Sequence, residues 1–138
     1  MHRMIPPPLV SIVMPNYNKG PFIREAIQSV VDQSHENWEL IVVDNNSTDN
    51  SLQIIRSYAA GEDRITTLDH PSPGDPGAVR NTGLAQAKGD FLAFLDSDDL
   101  WLPSKLERQL AFMREENAAL CTTGTEIIDE NGRLTGAY

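Results

Sequence analysis

Phe91-Leu92-Ala93-Phe94-Leu95-Asp96-Ser97-Asp98-Asp99-Leu100-Trp101 is an apolar run that stops abruptly on three carboxylates in four positions. A run this dense predicts a buried element, and the acids then stand together at its exit. Carboxylates so close raise one another's pKa unless a cation lies among them. A chain whose net charge is already −9 gains nothing structural from such a cluster, so the economical reading is a divalent-cation site at the end of a core strand. Helix capping competes with it, since acids ahead of Leu102–Met113 complement a helix dipole. Asp99 fits that role in part, but three acids exceed what a cap requires. Hard oxygen ligands in this number suit Mg2+ or Mn2+, which take one or two carboxylates together with phosphate oxygens and water.

The flanking chain alternates strand and helix. Leu9–Met14 is apolar and β-branched and predicts a strand stopped by Pro15. Pro21–Gln33 carries Phe22, Ile23, Ala26, Ile27, Val30 and Val31 at helical spacing. Glu39–Val43 is a second strand, ending at Asp44. Ser47 or Asp49 is placed to cap a helix that carries Leu52, Ile54, Ile55 and Tyr58 and ends at Gly61. Arg64–Asp69 is a weaker third strand. His70–Gly77, with three prolines and two glycines, reads as a loop. Val79–Ala87 is predicted helical although Gly83 weakens it. Asp90–Leu95 is the fourth strand and the most buried of all. Pro103 suits a first helical turn, with Leu102, Leu106, Leu110 and Met113 on one face. Ala119–Ile128 is extended, and Glu130–Arg133 is a turn. Residues 1–8 are expected to form an irregular tail and residues 9–138 a single domain.

Apolar strands alternating with amphipathic helices predict an α/β fold, a mostly parallel sheet covered on both faces. Ligands of such sheets bind beyond the carboxyl ends of the strands, where the strand order reverses. Three predicted strands end in polar groups: Pro15-Asn16-Tyr17-Asn18, Asp44 to Asp49, and Asp96 to Asp99. All three fall on the same sheet edge, and that convergence predicts a site.

Composition bounds the partners. The charge of −9 argues against nucleic acid, which needs a basic face. A small anion remains compatible if a metal ion neutralises the site locally. Cys121 is the single cysteine, so no disulfide and no cysteine-based zinc site can form. No apolar stretch approaches the ~20 residues of a membrane-spanning helix, and a cytoplasmic location fits.

Asn46, Ser47 and Asp49 read best as a strand-to-helix turn. Asp44 differs, because a carboxylate at the end of a buried strand needs a partner; an acceptor there can take an N–H of a nucleobase. A calcium loop is excluded, since Asp49 stands where that pattern wants glycine and Ile55 where it wants glutamate. Tyr17 can fill space over the sheet or stack on a base, and Asp44 on the adjacent strand end favours stacking. Arg80 and Asn81 fit a helix surface or a site wall beside Asp96 equally well. His2, His35 and His70 lack metal-ligand spacing and are expected to be solvated.

Val10-Ser-Ile-Val-Met-Pro15-x-Tyr17-Asn18, Ile41-Val-Val-Asp44 with Asn-Asn-Ser-Thr-Asp49, Arg80-Asn-x-Gly83 and Leu95-Asp-Ser-Asp-Asp-Leu-Trp101 together resemble the family 2 glycosyltransferases in order and spacing. The resemblance implies a GT-A fold, Rossmann-like, with three α/β/α layers. It also implies a nucleotide-diphospho-sugar donor, a carbohydrate or glycolipid acceptor, and inversion at the anomeric carbon. By position it makes Tyr17 and Asp44 base-binding residues with Pro15 in the same wall, and puts Arg80 near the nucleotide. Asp96 and Asp98 become the Asp-x-Asp pair, Asp96 toward ribose or metal and Asp98 on the Mg2+ or Mn2+. Asn45-Asn46 departs from the Asp-Gly common in the family and leaves the base pocket open. The family's general base lies well beyond the Asp-x-Asp motif, so here it is expected past Tyr138.

The 138-residue chain is therefore expected to be a donor-binding portion, truncated before the acceptor half and with little or no transferase activity of its own. Surface left uncovered is expected to favour a homodimer. Two alternatives stand beside this. A nucleotidyltransferase that makes sugar nucleotides needs a glycine-rich basic phosphate loop, and Pro15–Pro21 offers only Lys19 and Gly20. A non-catalytic interaction domain has no use for Asp44, Asp96 and Asp98.

Overall fold

Strands β1 (Val10–Asn16), β2 (Trp38–Asp44), β3 (Ile65–Asp69) and β4 (Phe91–Phe94) form one parallel sheet in the order β3-β2-β1-β4. The structure, a computed structural model, describes residues 6–137. These divide into two compact units, the first ending at Ser104 and the second beginning at Lys105. Residues 1–5 of the expected tail lie outside the described residues. Pro7 and Pro8 have no regular structure, but their carbonyls accept hydrogen bonds from Asn37 Nδ2 (2.7 Å) and His35 Nε2 (2.9 Å). His35 is therefore a tether rather than a solvated residue.

The chain steps from β1 to β2 to β3 and then crosses back to β4 on the far side of β1. Right-handed crossovers consequently put α1 (Ile23–Val31) and α2 (Ser51–Gly61) on one face and α3 (Pro76–Leu84) on the other. Ile12, Met14, Leu40 and Val42 are buried on one face, and Val13, Ile41 and Val43 on the other. That is why β1 and β2 read as unbroken apolar runs. Val79 of α3 packs on Ile41 and Val43. Gly83 belongs to this contact, because a Cβ there would lie 2.6 Å from Val13 Cγ1. The residue that weakens the helix in sequence thus lets it approach the sheet.

Several boundaries differ from expectation. β1 does not stop at Pro15 but continues to Asn16 in register with β2. The Val13 carbonyl accepts from Leu95 on the β4 side, and Pro15, two residues on, faces the same way. β4 has ended by that level, so the missing N–H of Pro15 removes no ladder bond. α3 begins at Pro76 rather than Val79, because Asp75 caps it by accepting from Gly77 and Ala78 N–H groups and proline suits the first turn. α2 is held at its start by Asp49, whose carboxylate accepts from the Ser51 N–H at 2.9 Å; the Ser51 hydroxyl bond holds its pKa below the usual carboxylate range.

β4 is not the most buried strand. Among the described residues it is the sheet edge, flanked by β1 alone, and Leu92 and Phe94 are 53% and 49% exposed. Composition cannot tell an edge from a centre; only strand order does. Leu102 is not on a helix face but lies ahead of α4 (Lys105–Glu115), 73% exposed. The second unit consists of α4 and an antiparallel hairpin of β5 (Glu126–Ile128) and β6 (Leu134–Ala137), so only the end of the stretch expected to be extended is a strand. The expected turn is present, with the Asp129 carboxylate accepting from the N–H groups of Asn131 and Arg133.

Gly83→Ala should destabilise the chain by about 1–3 kcal/mol through overpacking against Val13, measured by urea unfolding. A second test concerns Arg64, which stacks 3.8 Å over Trp38 and donates to Glu62 at 2.7 Å. Those hydrogen bonds lower the Glu62 pKa to about 2. A depressed carboxylate pKa means the pair's stabilisation is full above the ordinary value of 4.5 and is lost as pH falls toward 2. At this exposed site the contribution is small. Carboxyl-carbon NMR should give a Glu62 midpoint near 2, returning toward its ordinary value in Arg64→Ala.

Candidate functional site

A cleft of about 250 Å³ opens beyond the carboxyl ends of β1 and β4, where the strand order reverses. Pro15, Tyr17, Arg80, Asp96 and Asp98 all line it, together with Lys19, Asn45 and Pro76. β1 delivers Pro15 and Tyr17, α3 delivers Arg80, and the turn after β4 delivers Asp96 and Asp98. Tyr17 is 56% exposed, so its ring covers no core and is available as a platform.

The acids do not gather as one triad. Asp96 accepts from Arg80 Nη2 at 2.6 Å and Asp98 pairs with Lys19 Nζ at 2.6 Å. Among the described residues no group of three His, Cys, Asp or Glu side chains is placed to hold a metal. Asp96 and Asp98, the pair expected to hold a metal, are each turned to a basic partner of their own. The side chain is free to make this choice, and backbone spacing alone does not fix it. Negative charge is still in excess locally. Burial, followed by the charges of Asp98 and Asp96, pushes the Asp99 carboxyl up, and Lys19 only partly offsets this. Two hard carboxylates on an open cleft with surplus negative charge fit a divalent ion that completes its shell with phosphate oxygens and water.

Asp44 borders a separate cavity, with Asn46, Ser47, Leu52, Asp69, His70 and Pro71, rather than the cleft. It is only 2% exposed and is satisfied internally. Its Oδ1 accepts from Asn16 Nδ2 at 2.8 Å and the Ser47 hydroxyl at 2.6 Å, and Oδ2 accepts from the Ser47 N–H at 2.9 Å. Asn16 Nδ2 also reaches Ser51 Oγ at 2.9 Å. A carboxylate can only accept, which fixes the Asn16 amide with nitrogen toward Asp44. Asn16 Oδ1 then stays buried without a partner.

Residues that sequence reasoning missed are mostly partners across loops. Asn16 organises the buried carboxylate, Lys19 neutralises Asp98, and Asn45 joins the β3–α3 loop. Asn18 adopts φ 50° and its Oδ1 accepts from the Thr48 N–H at 2.8 Å, tying the β1 and β2 ends together. Its left-handed backbone suits Asn, and an Asn two residues past the strand end was the local sign. His70 is not solvated either, since Nδ1 lies 2.8 Å from Thr82 Oγ1.

The sequence model described as Glycosyl transferase family 2 matches residues 11–137. The chain belongs to the family 2 glycosyltransferases. Its relatives include an Escherichia coli protein named UDP-Glc:alpha-D-GlcNAc-diphosphoundecaprenol beta-1,3-glucosyltransferase WfgD, 42% identical over 89% of this chain and 48% of that protein. The fold is similar to that of S. aureus TarS 1–349 in complex with UDP-GlcNAc, with TM-score 0.72 and 34% identity over 78% of this chain and 32% of that one. It is also similar to the mannosyltransferase PcManGT from Pyrobaculum calidifontis in complex with GDP-Man and Mn2+, with TM-score 0.70 and 26% identity over 88% of this chain and 36% of that one. The chain spans about half the length of the curated relatives it matches. Among the described residues no helix is long and apolar enough to cross a membrane.

Asn16→Ala leaves the buried Asp44 carboxylate one donor short. It should cost about 1–3 kcal/mol, visible as a lower urea midpoint with unchanged slope.

Proposed function

We propose that this chain is the donor-nucleotide portion of a family 2 glycosyltransferase that transfers a sugar, with inversion, from a nucleotide-diphospho-sugar to a hydroxyl of a carbohydrate or glycolipid. The observation that carries the reading is one cleft, at the strand-order reversal, bordered by an exposed aromatic ring, an Arg–Asp pair and a Lys–Asp pair. Tyr17 supplies a face for the base, and Pro15 an apolar wall beside it. Asn45 stands on the same cleft wall, whereas Asp44 lines the separate cavity with its carboxylate held by Asn16 and Ser47. Arg80 and Lys19 supply positive charge toward the diphosphate, and Asp96 meets ribose or metal.

Asp98, with Asp96, would hold Mg2+ or Mn2+. Such an ion stabilises, as a Lewis acid, the negative charge that develops on a departing diphosphate. With such an ion on Asp98 and Asp96, Lys19 and Arg80 would be available to phosphate oxygens. Asp96 and Asp98 are both committed to cations and are poor proton acceptors, so neither is assigned the role of the general base. The donors in the two structural neighbours, and the lipid-linked diphosphate in the name of WfgD, support these substrate classes.

Calorimetry on this chain should show UDP or GDP binding that strengthens with Mn2+. Asp98→Ala should lose roughly tenfold or more of the Mn2+-dependent affinity, about 1.4 kcal/mol. Identical binding with and without Mn2+ would contradict the metal assignment.

A further inference from the structure

Asn45 and Asn46, directly past the end of β2, both hold the β3–α3 loop. Asn45 makes two bonds with a single peptide: its Nδ2 donates to the Gly74 carbonyl at 2.9 Å and its Oδ1 accepts from the Gly74 N–H at 3.0 Å. Asn46, at φ 60°, donates from Nδ2 to the His70 carbonyl at 3.3 Å. The His70 N–H donates in turn to the Asp44 carbonyl at 2.8 Å. Three consecutive residues at the end of β2 therefore grip one loop. The loop has little of its own to hold it, since Pro71 and Pro73 have no N–H to give. Gly74 fits because the His70 ring lies where a Cβ would go, 2.6 Å from His70 Nε2.

This loop borders the cavity beside Asp44 and runs straight into α3, whose first residue lines the cleft. His70 and Pro71 line the cavity, and Pro76, two residues past the clasped Gly74, lines the cleft. The Asp75 cap then starts α3, the helix that presents Arg80 to Asp96. Displacing Gly74 thus moves a cleft wall, the rim of the Asp44 cavity and the root of α3 together. We propose that Asn45 is a positioning residue of the nucleotide pocket: by clasping the Gly74 peptide it fixes the β3–α3 loop and so sets the space open to the base. This rests on the donor-pocket reading given above.

The test uses this chain with Mn2+ held constant and UDP and GDP as probes. Asn45→Asp keeps the shape but sets a carboxylate oxygen against the Gly74 carbonyl. Gly74→Ala strains the same clasp from the loop side, since its Cβ must either push the His70 ring aside or shift the peptide that Asn45 holds. Each should weaken nucleotide binding by about three- to tenfold, the effect of one or two neutral hydrogen bonds. Each should also shift the ratio of UDP to GDP affinity and speed hydrogen exchange in residues 70–78. The double variant should bind no more weakly than the weaker single, because both act on one clasp. Faster exchange with unchanged affinities and ratio would overturn the inference alone, as would weaker binding without faster exchange. Wild-type chain that binds neither nucleotide would overturn the donor-pocket reading and this inference with it.

Discussion

The Asp44 carboxylate is buried at the end of a central strand, and the site edge is built around satisfying it. An unpaired charge there would cost several kcal/mol. Asn16 from β1, the Ser47 peptide and the Ser47 hydroxyl meet it, and Ser51 at the start of α2 joins through Asn16. One buried anion therefore fastens two strand ends and a helix start. Loops that leave this edge start from fixed positions, and that is what lets Tyr17 and Asn45 stand on one cleft.

Cation balance is the second theme of the edge. Asp96 and Asp98 each hold a basic partner across the cleft, one from α3 and one from the β1–α1 loop. Exposed pairs of this kind contribute little stability, so their value is in poise. Burial first, and then the neighbouring charges of Asp98 and Asp96, raise the Asp99 carboxyl, and Lys19 only partly offsets them. A chain whose net charge is −9 in this way brings two of its basic groups to one cleft.

Much of this was legible in the sequence, for definite reasons. β1 and β2 are buried on both faces, so composition alone marks them, and their alternation with amphipathic helices gives the parallel α/β sheet. The gathering of Pro15, Tyr17, Arg80, Asp96 and Asp98 followed from strand ends sharing one edge, although Arg80 needed the resemblance to choose between helix surface and cleft wall. Three things were hidden. The edge position of β4 depends on strand order, which no local pattern encodes. The start of α3 at Pro76 was masked by a loop-like composition in which Asp75 and Pro76 are a cap and a first turn. Ion pairs such as Lys19–Asp98 and the Asn45–Gly74 clasp join residues 79 and 29 positions apart, and only the fold brings them together. The separation of Asp44 from the cleft was likewise invisible, since adjacent strand ends look equivalent in sequence.

The central claim is that the turn after β4 is the metal and diphosphate end of a nucleotide pocket. Anomalous scattering at the manganese edge from crystals of this chain grown with UDP and Mn2+ tests it most directly. The account predicts one manganese peak within bonding distance of Asp98 and of the diphosphate, with Lys19 turned away from that carboxylate. A nucleotide bound elsewhere, or Lys19 still on Asp98 with no manganese beside it, would contradict it.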